Sequence, residues 1–170
     1  MREEQAAFEA REASMEALAR IWAKNIAANR DDVRWVHWRD ATLAENRAGR
    51  AQTFVTLFHG EPVGEGTLLF SPLCGAIAGR SELADGERVA NINALRIEKA
   101  HEGQGHISAL VRLMEARAAQ AGYQRLTIGV EARETRSLAI YLHWGYDAFV
   151  RSDMEEGTLV LYYAKEIGRA

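Results

Sequence analysis

The sequence predicts an α/β (α+β) protein: a mixed, mostly antiparallel sheet with helices on both faces, read as a single domain over residues 1–170. Three observations predict it. Two clear strands at 53–58 and 63–70 flank the turn His59-Gly60-Glu61-Pro62, which is a hairpin pattern. A strand over 89–97 leads through a glycine turn into a helix, and a further strand follows at 125–130. That places one β-α-β crossover among the hairpins. Two last strands, 148–151 and 158–163, are joined through Ser152 to Gly157.

The other elements follow from local signals. Residues 6–11 read as a first strand. Ser14 is a plain N-cap for a helix to Ala28, with Leu18, Ile21, Trp22 and Ile26 on one face. A second helix, 33–47, carries Trp35, Val36, His37, Trp38 and Leu43. Residues 71–88 are turn-like, and the acidic run from Glu82 to Glu87 reads as a solvated loop. The helix after the glycine turn, 106–121, has the stripe Ile107, Leu110, Val111, Met114 and Ala118 and stops at Gly122. A shorter helix, 136–144, follows Thr135 and stops at Gly145.

Composition narrows the function. Apolar residues make up 48% and charged residues 26%, as in an ordinary globular protein. A net charge of −3 argues against nucleic acid or an anionic membrane as main partner. Cys74 is the single cysteine, which leaves no intrachain disulfide and no cysteine-based zinc cluster, and no metal is expected. The N-terminus lacks the basic start and apolar run of a signal peptide, and no stretch is long enough to span a bilayer. The expected location is cytoplasmic.

The segment Leu95 to Leu110 carries the chemistry. A helix that starts on a glycine turn leaves its first N–H groups unpaired, and these, with the positive end of the helix dipole, make a cradle for phosphate oxygens. Gly103 and Gly105 let an anion approach the main chain. A P-loop would need a lysine and a hydroxyl directly after the last glycine, where His106-Ile107-Ser108 stand. A dinucleotide fingerprint would need a third glycine at Ser108. A coenzyme A pyrophosphate loop remains, beside a glycine-bearing turn with no ligand.

Two motifs together resemble those of the GNAT superfamily of N-acetyltransferases. The first is the strand-turn-helix Leu95-Arg96-Ile97 through Glu102-Gly103-Gln104-Gly105-His106-Ile107-Ser108-Ala109-Leu110; the second is Tyr141-Leu142-His143-Trp144-Gly145-Tyr146 at the end of the late helix. The resemblance implies acetyl-CoA as cosubstrate. The N–H groups of Gln104, Gly105, His106, Ile107 and Ser108 would hold its pyrophosphate. The strand Leu95-Arg96-Ile97 would pair with the amides of pantetheine, splaying from the strand over 126–130 to admit the thioester. Tyr141 would be the general acid at the CoA sulfur. The acceptor is then a small-molecule or peptide amine, attacking directly in a ternary complex. Three positions depart from the family pattern: Glu102 opens the loop in place of Arg or Gln, Ile107 replaces a small residue, and Glu134 replaces an asparagine seven positions before Tyr141.

Acetyl transfer requires a neutral amine, whereas an alkyl ammonium has a pKa near 10.4, about that of lysine. A base or a water chain must remove the proton. Glu65 is a candidate base if it faces the cleft, and an exposed strand glutamate is the alternative. Asn91 and Asn93 occupy the stretch where many family members carry a glutamate; an amide can orient a water or the incoming amine but cannot take a proton. His101 and His106 titrate in the right range but flank the phosphate loop. Trp35, His37 and Trp38 stand where the family builds its acceptor wall, and aromatic faces bind cations; core packing is the competing use of one tryptophan. For Tyr141 the competing role is a core tyrosine. The rival to an enzyme is a non-catalytic acyl-CoA-binding or sensing module. The terminal strands also offer edges for a homodimer.

Overall fold

The computed structural model describes residues 7–168. Its elements are β1 (Phe8–Glu12), α1 (Met15–Ala28), α2 (Arg34–Arg47), β2 (Ala51–Phe58), β3 (Glu61–Leu69), β4 (Val89–Ile97), a 3₁₀ turn (Lys99–His101), α3 (His106–Gln120), β5 (Arg125–Glu131), α4 (Thr135–His143), β6 (Ala148–Glu155) and β7 (Thr158–Glu166). The seven strands form one mixed, mostly antiparallel sheet in the order β1-β2-β3-β4-β5-β7-β6. The expected elements are all present; residue 6, expected in the first strand, lies outside the described residues. The chain divides into two compact units, Met1–Leu68 with Ala94–Ala116 and Leu69–Asn93 with Arg117–Ala170.

In the first unit, the Ser14 hydroxyl caps α1 by accepting the Ala17 N–H at 3.1 Å. The apolar face of α1, Leu18, Ile21 and Trp22, is buried, with Trp35 and Leu43 of α2 packed against it. No residue of α2 is itself buried. Asn46 fastens that helix to β2 by donating to the Thr53 hydroxyl at 3.1 Å and accepting its N–H at 3.0 Å. The hairpin turn is tighter than expected: His59 and Gly60 have φ of 48° and 80°, and the strands run on to Phe58 and from Glu61. Two consecutive left-handed residues match the twist of paired strands.

Strand periodicity then sorts β3 and β4 into two faces. A Cβ on Gly64 would come within 2.7 Å of Ile97 Cδ1, and one on Gly66 within 2.8 Å of Leu95 Cδ2 and of Met114 Cε. Gly64, Gly66, Leu95 and Ile97 therefore share the face that meets α3. Glu65 and Arg96, the residues between them, share the opposite face, where α1 lies.

In the second unit, the first half of β4 pairs in parallel with β5 from Val89↔Arg125 to Ile92↔Ile128, and β5 pairs antiparallel with β7 from Arg125↔Glu166 to Glu131↔Val160. β6 pairs with β7 and has a bulge between Phe149 and Arg151. β4 continues past that ladder to Ile97 through Ala94, whose φ is 56°. Residues 71–88 lack helix and strand, as expected, but they are not a solvated loop. Cys74, Ile77, Leu83 and Ala84 are buried, and the Asp85 carboxylate accepts the N–H groups of Glu87, Arg88 and Val89 at 2.8–2.9 Å. Arg80 adds an anchor, donating to Asp153 at 2.8 Å and to Glu155 at 3.2 Å.

Candidate active site

The glycine turn is open. Gly103 and Gly105 have φ of 73° and 85°, and a Cβ on either would meet nothing within 4 Å. Residues 102–105 are exposed. At the start of α3 the first main-chain bond is from the Ala109 N–H to the Gly105 carbonyl at 3.0 Å. The N–H groups before it have no recorded acceptor among the described residues, as expected for the first turn of a helix. The turn thus has both the room and the donors for phosphate oxygens.

Side chains brace this turn from the protein side. The His106 ring stacks on Phe8 with centroids 4.1 Å apart and contacts Gln104 Oε1 through Nε2 at 3.3 Å. Phe8 also stacks on Phe58 at 4.5 Å and meets the edge of His101 at 5.4 Å. Burial first, and the neighbouring His101 second, hold the His106 imidazole below its usual value. Arg112 donates to the Ser108 hydroxyl at 2.9 Å. Its position four residues after Ser108 puts it on the same helix face, and that spacing is a legible signal for a cation at this end of α3.

Glu65 is buried at 1% exposure, which rules out the exposed strand glutamate. Its Oε2 accepts from Asn25 Nδ2 at 2.8 Å, and its Oε1 accepts from Arg96 Nη2 at 3.3 Å. The Arg96 guanidinium packs against two neighbouring indoles, its carbon 5.4 Å from the Trp22 centroid and 4.8 Å from that of Trp35. Trp35 in turn meets Trp38 edge-on at 5.2 Å. The structure therefore gathers Glu65, Arg96 and Trp35 into one cluster with Trp22 and Asn25, which the sequence did not single out for this site. Trp38 forms its outer edge, and His37 is exposed on α2.

The second unit holds the remaining candidates. Asn93 is exposed, whereas Asn91 is buried and donates to the Thr127 hydroxyl at 2.9 Å. Tyr141 is half-buried on α4, its ring 5.8 Å from that of Trp144. Burial, and then the Glu134 carboxylate, push its phenol above the usual value. The rest of its motif is a helix stop: Gly145 has φ of 97°, the Tyr146 N–H donates to the Tyr141 carbonyl at 3.0 Å, and the Tyr146 side chain is fully buried.

Among the described residues, no helix is long and apolar enough to cross a membrane, and no group of three His, Cys, Asp or Glu side chains is placed to hold a metal.

Comparison with known proteins gives the fold and the family. Of the solved structures, an N-acetyltransferase from Staphylococcus aureus Mu50 superposes with a TM-score of 0.67 at 16% identity, over 94% of this chain and 98% of that one. YncA of Salmonella typhimurium, solved with its cofactor acetyl-CoA, gives 0.68 at 13% identity over 96% of both chains. The Salmonella typhimurium acetyltransferase that modifies the N-terminal serine of ribosomal protein L7/L12 gives 0.64 at 15% identity, over 94% of this chain and 95% of that one. At such identities the likeness is one of fold. No curated protein matches significantly. The model of the acetyltransferase (GNAT) family matches residues 10–146, which takes in both motifs, and the chain belongs to that family.

Proposed function

We propose that the protein transfers the acetyl group of acetyl-CoA to a primary amine by direct attack in a ternary complex. The observation that carries this reading is the open turn Gly103 to Ser108, with unpaired N–H groups at the head of α3 and no side chain filling the space. The N–H groups of Gln104 to Ser108 hold the pyrophosphate, and the main chain of Leu95, Arg96 and Ile97 pairs with the pantetheine amides. Acetyl-CoA supplies the activated thioester carbonyl. As the C–N bond forms and the C–S bond breaks, the departing thiolate needs a proton, and Tyr141 supplies it. The amine must lose one, and Asn93 orients the water that removes it. Glu65, with an oxygen bound by Asn25 and the other by Arg96, acts through the position of Arg96 rather than as the base. Trp35, Trp38 and His37 form the acceptor wall.

The engagement of Glu65 by Asn25 and Arg96 favours a second reading, a module that binds acyl-CoA without turnover. Thiol release measured with acetyl-CoA over a panel of small amines, polyamines, aminoglycosides, amino acids and peptides decides between them. Amine-dependent release supports the transferase. Saturable acetyl-CoA binding with no release from any amine would leave the binding module.

A further inference from the structure

In the first unit, the indole faces that an ammonium would seek are already taken by cations of the chain itself. Arg96 lies against Trp22 and Trp35, and the Arg34 guanidinium carbon lies 5.3 Å from the Trp38 centroid. Two nearby aspartates are also engaged, Asp32 by Arg34 at 2.6 Å and Asp40 by Arg39 at 2.9 Å. The cluster therefore presents a guanidinium where a bare aromatic wall was expected.

That guanidinium has donors to spare. Arginine carries five N–H groups in a planar fork. One is given to Glu65 at 3.3 Å, and Nε is buried with no acceptor among the described residues. The side chain is nonetheless 33% exposed, and two indoles pack against its guanidinium. Glu65 already balances its charge, so a singly charged carboxylate suits it better than a phosphate dianion. Carboxylates also match the fork in geometry.

We propose that Arg96 determines acceptor specificity by binding a carboxylate carried on the acceptor amine. The inference rests on the acetyl-transfer reading, in which the main chain of this same residue lines the pantetheine arm. The bound carboxylate would sit one arginine side chain away from that arm, with the amine between. Two sources share the chemistry, a free amino acid and a peptide whose first residues include Asp or Glu.

The test compares matched acceptors in the intact protein by thiol release: an amino acid against its amide and its decarboxylated amine, and peptides with acidic against neutral first residues. A carboxylate held by charge-assisted hydrogen bonds should favour the acid member by about 10- to 100-fold in kcat/KM, mostly through KM. Whichever pair shows the preference names the source. The double variant Arg96→Gln with Glu65→Gln, which keeps a hydrogen-bonded neutral pair, should reduce the preference to near unity in a protein that circular dichroism shows to be folded. Should it not fold, Arg96→Lys keeps the partner of Glu65 but loses the stacked fork, and most of the preference should go with it. Turnover without a carboxylate preference, or a preference that survives these substitutions, overturns the inference and leaves acetyl transfer standing. If no amine is turned over, acetyl transfer fails instead. Tryptophan fluorescence titrated with the same amino acid and its amide then decides Arg96 alone, saturation by the amide as readily as by the acid counting against it.

Discussion

Tyr141 and Glu65 show how far residue type alone carries a functional reading. A phenol pushed up by burial keeps its proton at neutral and mildly alkaline pH, and a donor to a leaving thiolate needs that proton. If Tyr141 is that donor, Tyr141→Phe lowers kcat by about 10²–10⁴-fold. The apparent KM for acetyl-CoA stays nearly constant, because the hydroxyl acts as charge builds on sulfur. The ring is retained, so the thermal midpoint should move little; near-wild-type turnover would remove Tyr141 from the reaction. Its place in the motif made this candidate legible in the sequence. The partnership of Glu65 with Arg96 was not, because the two lie 31 positions apart and meet only when β3 and β4 place them on one face. The flanking glycines were the available clue: the small residues at 64 and 66 mark the face crowded by Leu95, Ile97 and Met114, which sends Glu65 to the other.

Elements were read best where a single residue type fixes a cap. Ser14 at the start of α1, Gly122 after α3 and Gly145 after α4 all act locally, so sequence is enough. The hairpin turn is two residues shorter than the sequence predicts because His59 takes a positive φ that its residue type does not announce. The start of α3 has a titratable consequence. His106 is half-buried against Phe8, and burial with His101 holds its folded pKa below that of the unfolded chain. The unfolded state therefore binds the proton more readily. The stabilisation is complete above about pH 6.5, the ordinary histidine value, and is lost as pH falls through the lower folded pKa. His106→Phe keeps a ring on Phe8 and removes the titration. The urea midpoint of the wild type should therefore fall more steeply as pH drops below about 6.5 than that of the variant, and parallel curves would refute the assignment.

At the scale of the molecule, element order and the mixed sheet are legible because caps, turns and apolar runs mark the elements, and the two motifs fix their sequence along the chain. The position of β7 between β5 and β6, and the packing of residues 71–88, are not, since both depend on contacts between distant residues such as Arg80 with Asp153 and Glu155. Ligand binding tests the assignment on the whole fold at once. A ligand bound only by the folded state at about 100 times its Kd adds about 2.7 kcal/mol. For a chain of this size that raises the midpoint by roughly 5–10 °C. Gly105 is exposed with nothing near its Cβ position, so Gly105→Pro removes no packing. It does delete a donor and force φ from 85° to about −65°. This variant should melt below the wild type without CoA, through the cost of that φ change, and show no rise with CoA. Glu102→Arg turns a repulsive charge beside the turn into an attractive one, so its rise should equal or exceed that of the wild type. A full rise in Gly105→Pro, or a smaller one in a folded Glu102→Arg, would move the pyrophosphate away from this turn.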